Sequence, residues 1–319
     1  MGSVYLSPAF TKRPEQDLRL LQSLDGRSGF CLFWLDIVYP LLCEIRAGHL
    51  LEIGADEGEH TRLLLEYCDI FDAKLVVVEP TVKPCLEEIL RASSHVRLFA
   101  EKSHDALPKV DLPVNAVLLE GDLNYHTTYG DLSEIEKLAR RQSIDFPTVF
   151  VRSASWPYAK RDMYYDPESL PRSARHDYAR SGMTPWSCGL KERMINFPFA
   201  NARHEGGPKN GVWLAVTDFL ANCSLPLKQF LLPSNNGLGL IYRKDSKADQ
   251  FINQHLLIPE RIRLFLETCE IARINEINRR QQIKVDRSKT EVQKESGIRN
   301  LLARALRKLG RTVLKRIEK

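Results

Sequence analysis

The stretch that decides the fold is LLEIGADEGEHTR, residues 50–62. An apolar run ends in Glu52, then come Gly54, Asp56 and Gly58, and an amphipathic segment, EHTRLLLEYC, opens at Glu59. A glycine at a strand end permits a tight turn and a close backbone approach, and the helix start that follows offers unpaired N–H donors. Dinucleotide-binding loops use the same strand–turn–helix arrangement, with pyrophosphate on the helix N-terminus. Here the spacing is E-x-G-x-D-x-G, and the loop carries Glu52, Asp56, Glu57 and Glu59. These carboxylates would repel a pyrophosphate; they suit a cationic ligand that presents no phosphate at this point.

Outward from this loop, β-rich runs alternate with helical patterns. HLLEIGA (49–55), KLVVVEP (74–80), HVRLFA (95–100), NAVLLEG (115–121) and PTVFVRS (147–153) read as strands. The segments 59–68, 82–93 and 130–142 read as helices between them. Short, continuously apolar strands separated by helices predict a doubly wound, mostly parallel α/β sheet covered on both faces, with ligands at the carboxyl ends of the strands. Later, 210–223 reads as a helix, and 227–233 and 238–243 read as strands that can add an antiparallel edge. The expected organisation is an N-terminal helical segment (1–46), a main α/β domain (47–245) with a substrate or lid insert at 153–209, a helical extension (246–295) and a basic amphipathic helix (296–319). The insert is rich in Pro, Trp, Tyr, Arg and Gly, shows no sustained period, and is too long for an ordinary connection.

Composition narrows the class of protein. The chain has 319 residues, 43% hydrophobic and 27% charged, with a formal net charge of +5. From Ser296 onward eight Lys/Arg face a single acid, so the tail carries +7 and the body about −2. The body therefore gives no electrostatic case for nucleic acid. The tail places Ile298, Leu301, Leu302, Ala305, Leu309, Val313 and Ile317 on one face, which suits an anionic membrane surface, a partner helix, or packing on the protein's own body. Seven scattered cysteines without a CxxC pair, and no signal-peptide pattern, predict a reducing, cytoplasmic setting, with the tail as a means of peripheral attachment at the inner membrane surface. The strongest apolar stretch, FCLFWLDIVYPLLC (30–43), is too short to span a bilayer and reads as a helix buried against the sheet.

The strand ending in Glu79 lies about two dozen residues after Glu52, where an acid can accept hydrogen bonds from ribose hydroxyls. Together with the glycine loop it resembles motifs I and II of class I S-adenosylmethionine-dependent methyltransferases. The resemblance implies S-adenosyl-L-methionine as cofactor, with Glu52 on its amino-acid end, Gly54 and Gly58 lining its back and Glu79 on the ribose. Asp56 stands where the family commonly has a middle glycine. A narrower resemblance, over residues 45–245, is carried by LLEGDLNYHTT (118–128), SWPYAKRDMYYDPESLP (155–171) and NARHEGGPKNGV (201–212). These are similar to bacterial O-methyltransferases that tailor glycans and natural products, in which the fourth-strand segment reads D-G-D-H-N-Y-Y and a His-Asp pair precedes the Trp-Pro-Tyr.

This chain departs from that pattern where the chemistry would lie: Glu120, Leu123 and Arg152-Ser153 replace the expected residues. In related metal-dependent enzymes the acids at the ends of strands 4 and 5 hold Mg²⁺. Arg152 would repel a divalent ion and Ser153 is a poor replacement ligand, so no metal is expected, and the guanidinium could take the cation's place opposite Glu120 and Asp122. Methyl transfer to a hydroxyl then needs a base from the chain itself. Asp122, His126 and Glu120 are the candidates, against the plainer reading of His126 as a surface residue in a turn. His104 is expected near the adenine. Trp156, Tyr158, Arg161 and Glu205 of the insert are candidates for acceptor binding, since aromatic faces with directed polar groups suit a saccharide or polyketide; aromatics packing the loop onto the sheet is the competing reading. The expected function is O-methylation of a sugar or glycosylated product in glycan or natural-product biosynthesis, with a small-molecule or glycan acceptor. The alternative is a methyltransferase-fold protein that has lost turnover and serves the same pathway as a binding or scaffold subunit.

Overall fold

The computed structural model describes residues 29–285. Seven strands form one sheet in the order β3-β2-β1-β4-β5-β10-β9. They are β1 (His49–Ile53), β2 (Lys74–Val78), β3 (Val96–Phe99), β4 (Ala116–Leu119), β5 (Thr148–Arg152), β9 (Leu227–Leu232) and β10 (Leu238–Arg243). The first five pair in parallel, and the β9–β10 hairpin closes the edge antiparallel to β5. The doubly wound, Rossmann-like architecture expected from the alternation is the one found.

Helices cover both faces, and this explains why the strands show no polar alternation. Neighbouring strand residues point to opposite sides. Leu50, Leu75 and Leu118 enter a core with the helical segment 29–45 and the helices Glu59–Phe71 and Pro84–Arg91. Leu51, Val76 and Val117 enter a second core with the helices Tyr125–Gln142 and Val212–Asn222. Burying each such leucine stabilises the fold by roughly 1.5–3 kcal/mol. The 30–43 stretch is buried as expected but is not one regular helix: a 3₁₀ turn (Gly29–Phe33) and a π turn (Trp34–Val38) lead into an α-helix (Tyr39–Ile45). The helix after β4 starts five residues before the expected position, at Tyr125. Asn124 is buried and caps it, its Oδ1 accepting from Thr127 N at 2.8 Å; this start signal is what the β-prone run YHTTY obscured.

The insert is not the aperiodic loop its sequence suggested. It carries a three-stranded antiparallel sheet, β6-β8-β7, from Met163–Tyr164, Ala200–Ala202 and Tyr178–Arg180. Beyond the hairpin, Lys247–Phe251 and a helix over 260–285 account for the described part of the helical extension. Residues 1–28 of the expected N-terminal helical segment, 286–295 of the extension and the expected basic helix 296–319 lie outside the described residues. No helix among the described residues is long and apolar enough to cross a membrane.

Candidate active site

The carboxyl ends of β1, β2, β4 and β5 meet around the glycine loop. Gly54 (φ +85) and Gly58 (φ +82) both hold left-handed backbone. A side chain at Gly54 would collide with the Glu120 carbonyl, and one at Gly58 would meet Ile89 and Leu86. Both glycines thus serve close packing of the loop on its neighbours. Asp56, at the family's middle-glycine position, also takes a positive φ, of 49°. Its carboxylate pairs with Lys83 Nζ at 2.5 Å, and Glu57 lies 3.4 Å from the same ammonium.

Glu79 holds this loop in shape. Its Oε2 accepts from Ala55 N (3.0 Å) and Asp56 N (3.1 Å), and its Oε1 accepts from Thr81 N (2.9 Å). A carboxylate offers about four lone-pair sites, so these three bonds leave room for a further donor.

Glu52 faces the interior of the site. It is 1% exposed and turns inward, away from any open surface. Thr61 Oγ1 donates to its Oε2 at 2.7 Å and His60 Nδ1 lies 3.2 Å from its Oε1. Burial pushes its carboxyl up to about 8, with the nearby charges of Glu120 and Glu79 adding to the rise. It therefore organises the site from behind.

His60, which the sequence reading did not single out, joins Glu52 to Glu120. Its Nε2 stands 3.0 Å from Glu120 Oε2, at ion-pair distance but without an aligned hydrogen bond, and Oε2 has no hydrogen-bond partner. The Phe30 ring packs edge-on against the imidazole at 5.5 Å. Burial, and then the positive charge of Arg152, hold the ring well below the usual histidine range. A signal for it was present: a residue in the first turn of a helix that follows a tight Gly turn lies back over the strand it left.

Arg152 takes up part of the position foreseen for it. Its Nε is 3.6 Å from Glu120 Oε1, while Nη1 donates to the carbonyls of Asn235 (3.0 Å) and Gly237 (3.1 Å) in the β9–β10 turn. The guanidinium lies over Phe33, 5.3 Å from the ring centroid. It faces Glu120 but makes no ion pair with Asp122. The turn is in turn clasped by the 260–285 helix: Glu270 accepts from Asn235 N (3.1 Å) and Asn236 N (2.8 Å), and Arg273 Nη2 donates to Asn236 Oδ1 (3.0 Å). No group of three or more His, Cys, Asp or Glu among the described residues is arranged to hold a metal ion.

Of the three candidate bases, only Glu120 belongs to this cluster. Asp122 is half-buried at the same edge; burial raises its carboxyl, opposed by a backbone hydrogen bond from Tyr165. His126 lies in the first turn of the 125–142 helix, exposed, and has no hydrogen bond or ion pair among the described residues. His104 is exposed and faces Asp105 at 3.2 Å. Asp131, also missed, is buried with its Oδ2 unpartnered, and burial pushes it up to about 7.

Most of the insert's candidate acceptor contacts are interior. Arg161 is fully buried and donates to the carbonyls of Ala202 and Cys188, with Glu205 Oε2 3.7 Å from its Nη2. Tyr158 is buried and donates to Asn201 Oδ1 at 3.0 Å. These side chains fasten the small sheet together, because a buried guanidinium or hydroxyl has to spend its donors on nearby acceptors. Trp156 is half-buried against the second core. Tyr165 instead reaches outward: it is exposed, and the charges of Glu120, Asp56, Asp122 and Glu79 join burial in raising its hydroxyl.

No described protein family matches the sequence, and no curated protein resembles it significantly. Solved structures do align. The SAH-bound methyltransferase PaMTH1 of Podospora anserina is 14% identical, covering 73% of this chain and 89% of that one with a TM-score of 0.39. An O-methyltransferase family protein from Burkholderia thailandensis is 14% identical, over 72% and 63%, at 0.38. An rRNA methylase from Streptococcus thermophilus is 12% identical, over 64% and 93%, at 0.36. Likeness at this level leaves function to be argued from the residues.

Proposed function

We propose that the protein is an S-adenosylmethionine-dependent O-methyltransferase whose acceptor is the hydroxyl of a sugar or glycosylated product. The observation that carries the reading is the clustering of Glu79, Glu120 and Arg152 around the glycine loop at the strand ends, with Glu120 the member that reaches the surface: its side chain is 25% exposed against 1% for Glu52 and 3% for Arg152. The donor set fits a cationic ligand with hydroxyls. Asp56 and Glu57 are exposed carboxylates, and Glu79 keeps acceptor capacity for a ribose hydroxyl. S-Adenosylmethionine supplies a methyl group on a positively charged sulfur.

The chain's own part is to bind, orient and move one proton. Glu120 takes the proton that an acceptor hydroxyl releases, as a positioned carboxylate raised by burial is suited to do. Arg152, fixed by two carbonyls, holds that carboxylate at the end of β4. Tyr165 stands at the mouth, where an aromatic face would meet the acceptor or the charged sulfur. A sugar acceptor is favoured by this mix of exposed carboxylates and an aromatic ring. Calorimetric titration with S-adenosylmethionine, S-adenosylhomocysteine and NADH tests the cofactor. Micromolar or tighter binding of the first two, and none of the third, is expected; no binding of either at millimolar concentration overturns the reading. Transfer of a labelled methyl group into hydrolysable glycan material, rather than into RNA or protein, tests the acceptor.

A further inference from the structure

We infer that His60 is a positioning residue that presents its Nε2–H to Glu120 because Glu52, behind it, occupies Nδ1 as a proton donor. The two protons shared by Glu52, His60 and Glu120 are then arranged so that Glu120 is the ionised member. The role assigned to Glu120 rests on the methyltransferase reading; the arrangement itself does not.

The geometry is a continuous line of buried groups. Thr61 Oγ1 is 2.7 Å from Glu52 Oε2, Glu52 Oε1 is 3.2 Å from His60 Nδ1, and His60 Nε2 is 3.0 Å from Glu120 Oε2. A neutral imidazole has one N–H and one lone pair, so it can donate to only one of the two flanking carboxylates and must accept from the other. Thr61 already donates to Glu52 Oε2, leaving Oε1 to carry the proton toward Nδ1. On the other side, Arg152 lies 3.6 Å from Glu120 Oε1 and stabilises a negative charge there and not at Glu52. Charge therefore belongs on Glu120 and the proton on Glu52. Glu120 is the more exposed of the two, and a small turn of its carboxylate aligns Oε2 with Nε2–H.

Burial and Arg152 outweigh the acids around the imidazole and keep the ring neutral. Strand β1 contributes Glu52, β4 Glu120 and β5 Arg152, whose positive charge opposes protonation; the loop contributes the more distant Asp56, which favours it. The N-terminal 3₁₀ turn closes the remaining side with the Phe30 ring and the Gly29 backbone, where a side chain on Gly29 would strike both Glu120 and His60. Cys31, from the same turn, lies near enough to Arg152 for its charge to be felt.

Selective ¹⁵N-histidine labelling of the full chain reads the tautomer directly. There are eight histidines, and the signal lost in His60→Gln assigns the ring. The expected result is a neutral Nε2–H tautomer that does not titrate between pH 5 and 7. It should persist in Glu52→Gln, whose amide still donates to Nδ1, and be lost in Glu52→Leu, where the ring becomes Nδ1-protonated or titrates. An Nδ1–H tautomer in the unsubstituted protein, or titration near the ordinary histidine value, overturns the inference. Because the wild-type spectrum is the primary readout, a variant that misfolds does not decide the matter. Adding S-adenosylmethionine to the same sample tests the methyltransferase reading separately, since the tautomer is present or absent whether or not the cofactor binds.

Discussion

Two arginines invite comparison. Arg152 ends β5 and Arg161 begins the small sheet of the insert; both are buried, both donate to backbone carbonyls, and they stand 3.6 and 3.7 Å from a glutamate whose side chain is about a quarter exposed. They differ in what lies behind the glutamate. Glu205 has only Arg161 as its ion-pair partner among the described residues, so that pair is a fastening. Glu120 continues into His60 and Glu52, so its pair is one end of a proton-sharing line. Burial and ion pairing alone do not distinguish a strut from a working group; the next neighbour does.

The comparison can be broken most decisively at Arg161. Arg161→Met strips the carbonyls of Ala202 and Cys188 of their donor, and a loss of about 3–5 kcal/mol of stability is expected for such a buried group, read by chemical denaturation. Cofactor affinity of the fraction that stays folded should change little. Glu120→Gln should do the reverse, with the melting temperature within a few degrees of wild type, affinity for S-adenosylmethionine within about threefold, and methyl transfer down by about 10²-fold or more. If both variants lose stability alike and turnover survives in Glu120→Gln, the two pairs are of one kind.

A pH series sharpens the contrast from the other end of the line. Glu52, raised to about 8, binds its proton more tightly in the folded protein than in the unfolded chain, so its contribution to stability is fully present at low pH and is lost as pH rises toward 8. His60, held near 4, has the opposite slope, with a contribution that is complete only above the ordinary histidine value. The two oppose one another below that value, and Asp131, raised to about 7, adds to the decline up to neutrality. Between pH 7 and 8 Glu52 contributes a fall in stability of at most about 1.4 kcal/mol over that unit. Denaturation curves of wild type and Glu52→Gln check this; the variant should fall less steeply there. The smallest effect is expected at His126: His126→Ala should shift stability by less than about 0.5 kcal/mol and leave turnover within twofold, since the ring faces solvent.

What could be read from the chain alone follows from the range of the forces involved. The sheet was legible because continuous apolar strands and the Gly54–Gly58 turn are local signals. The location of Glu79 and Glu120 at the strand ends followed, because the end of an apolar strand fixes where the next residues lie. The start of the helix at Tyr125 was hidden by a single capping bond from Asn124. The interior roles of Arg161 and Tyr158 were hidden for a different reason: their acceptors, Ala202 and Asn201, lie about forty residues on, and hydrophobic pattern carries no trace of such a bond. The bonds of Glu52 were hidden because the pattern names the acid but not the way its carboxylate turns, and that is settled by Thr61 and His60 on the helix behind it.

The clasp between Glu270 and the turn at 235–237 sets an order in time. Every strand of the main sheet is synthesised before Glu270 leaves the ribosome, so the sheet can close while the carbonyls that orient Arg152 are still unheld. The last described helix therefore acts as a finishing step: the contacts that fix the turn holding Arg152 are completed only after every strand of the main sheet has been made.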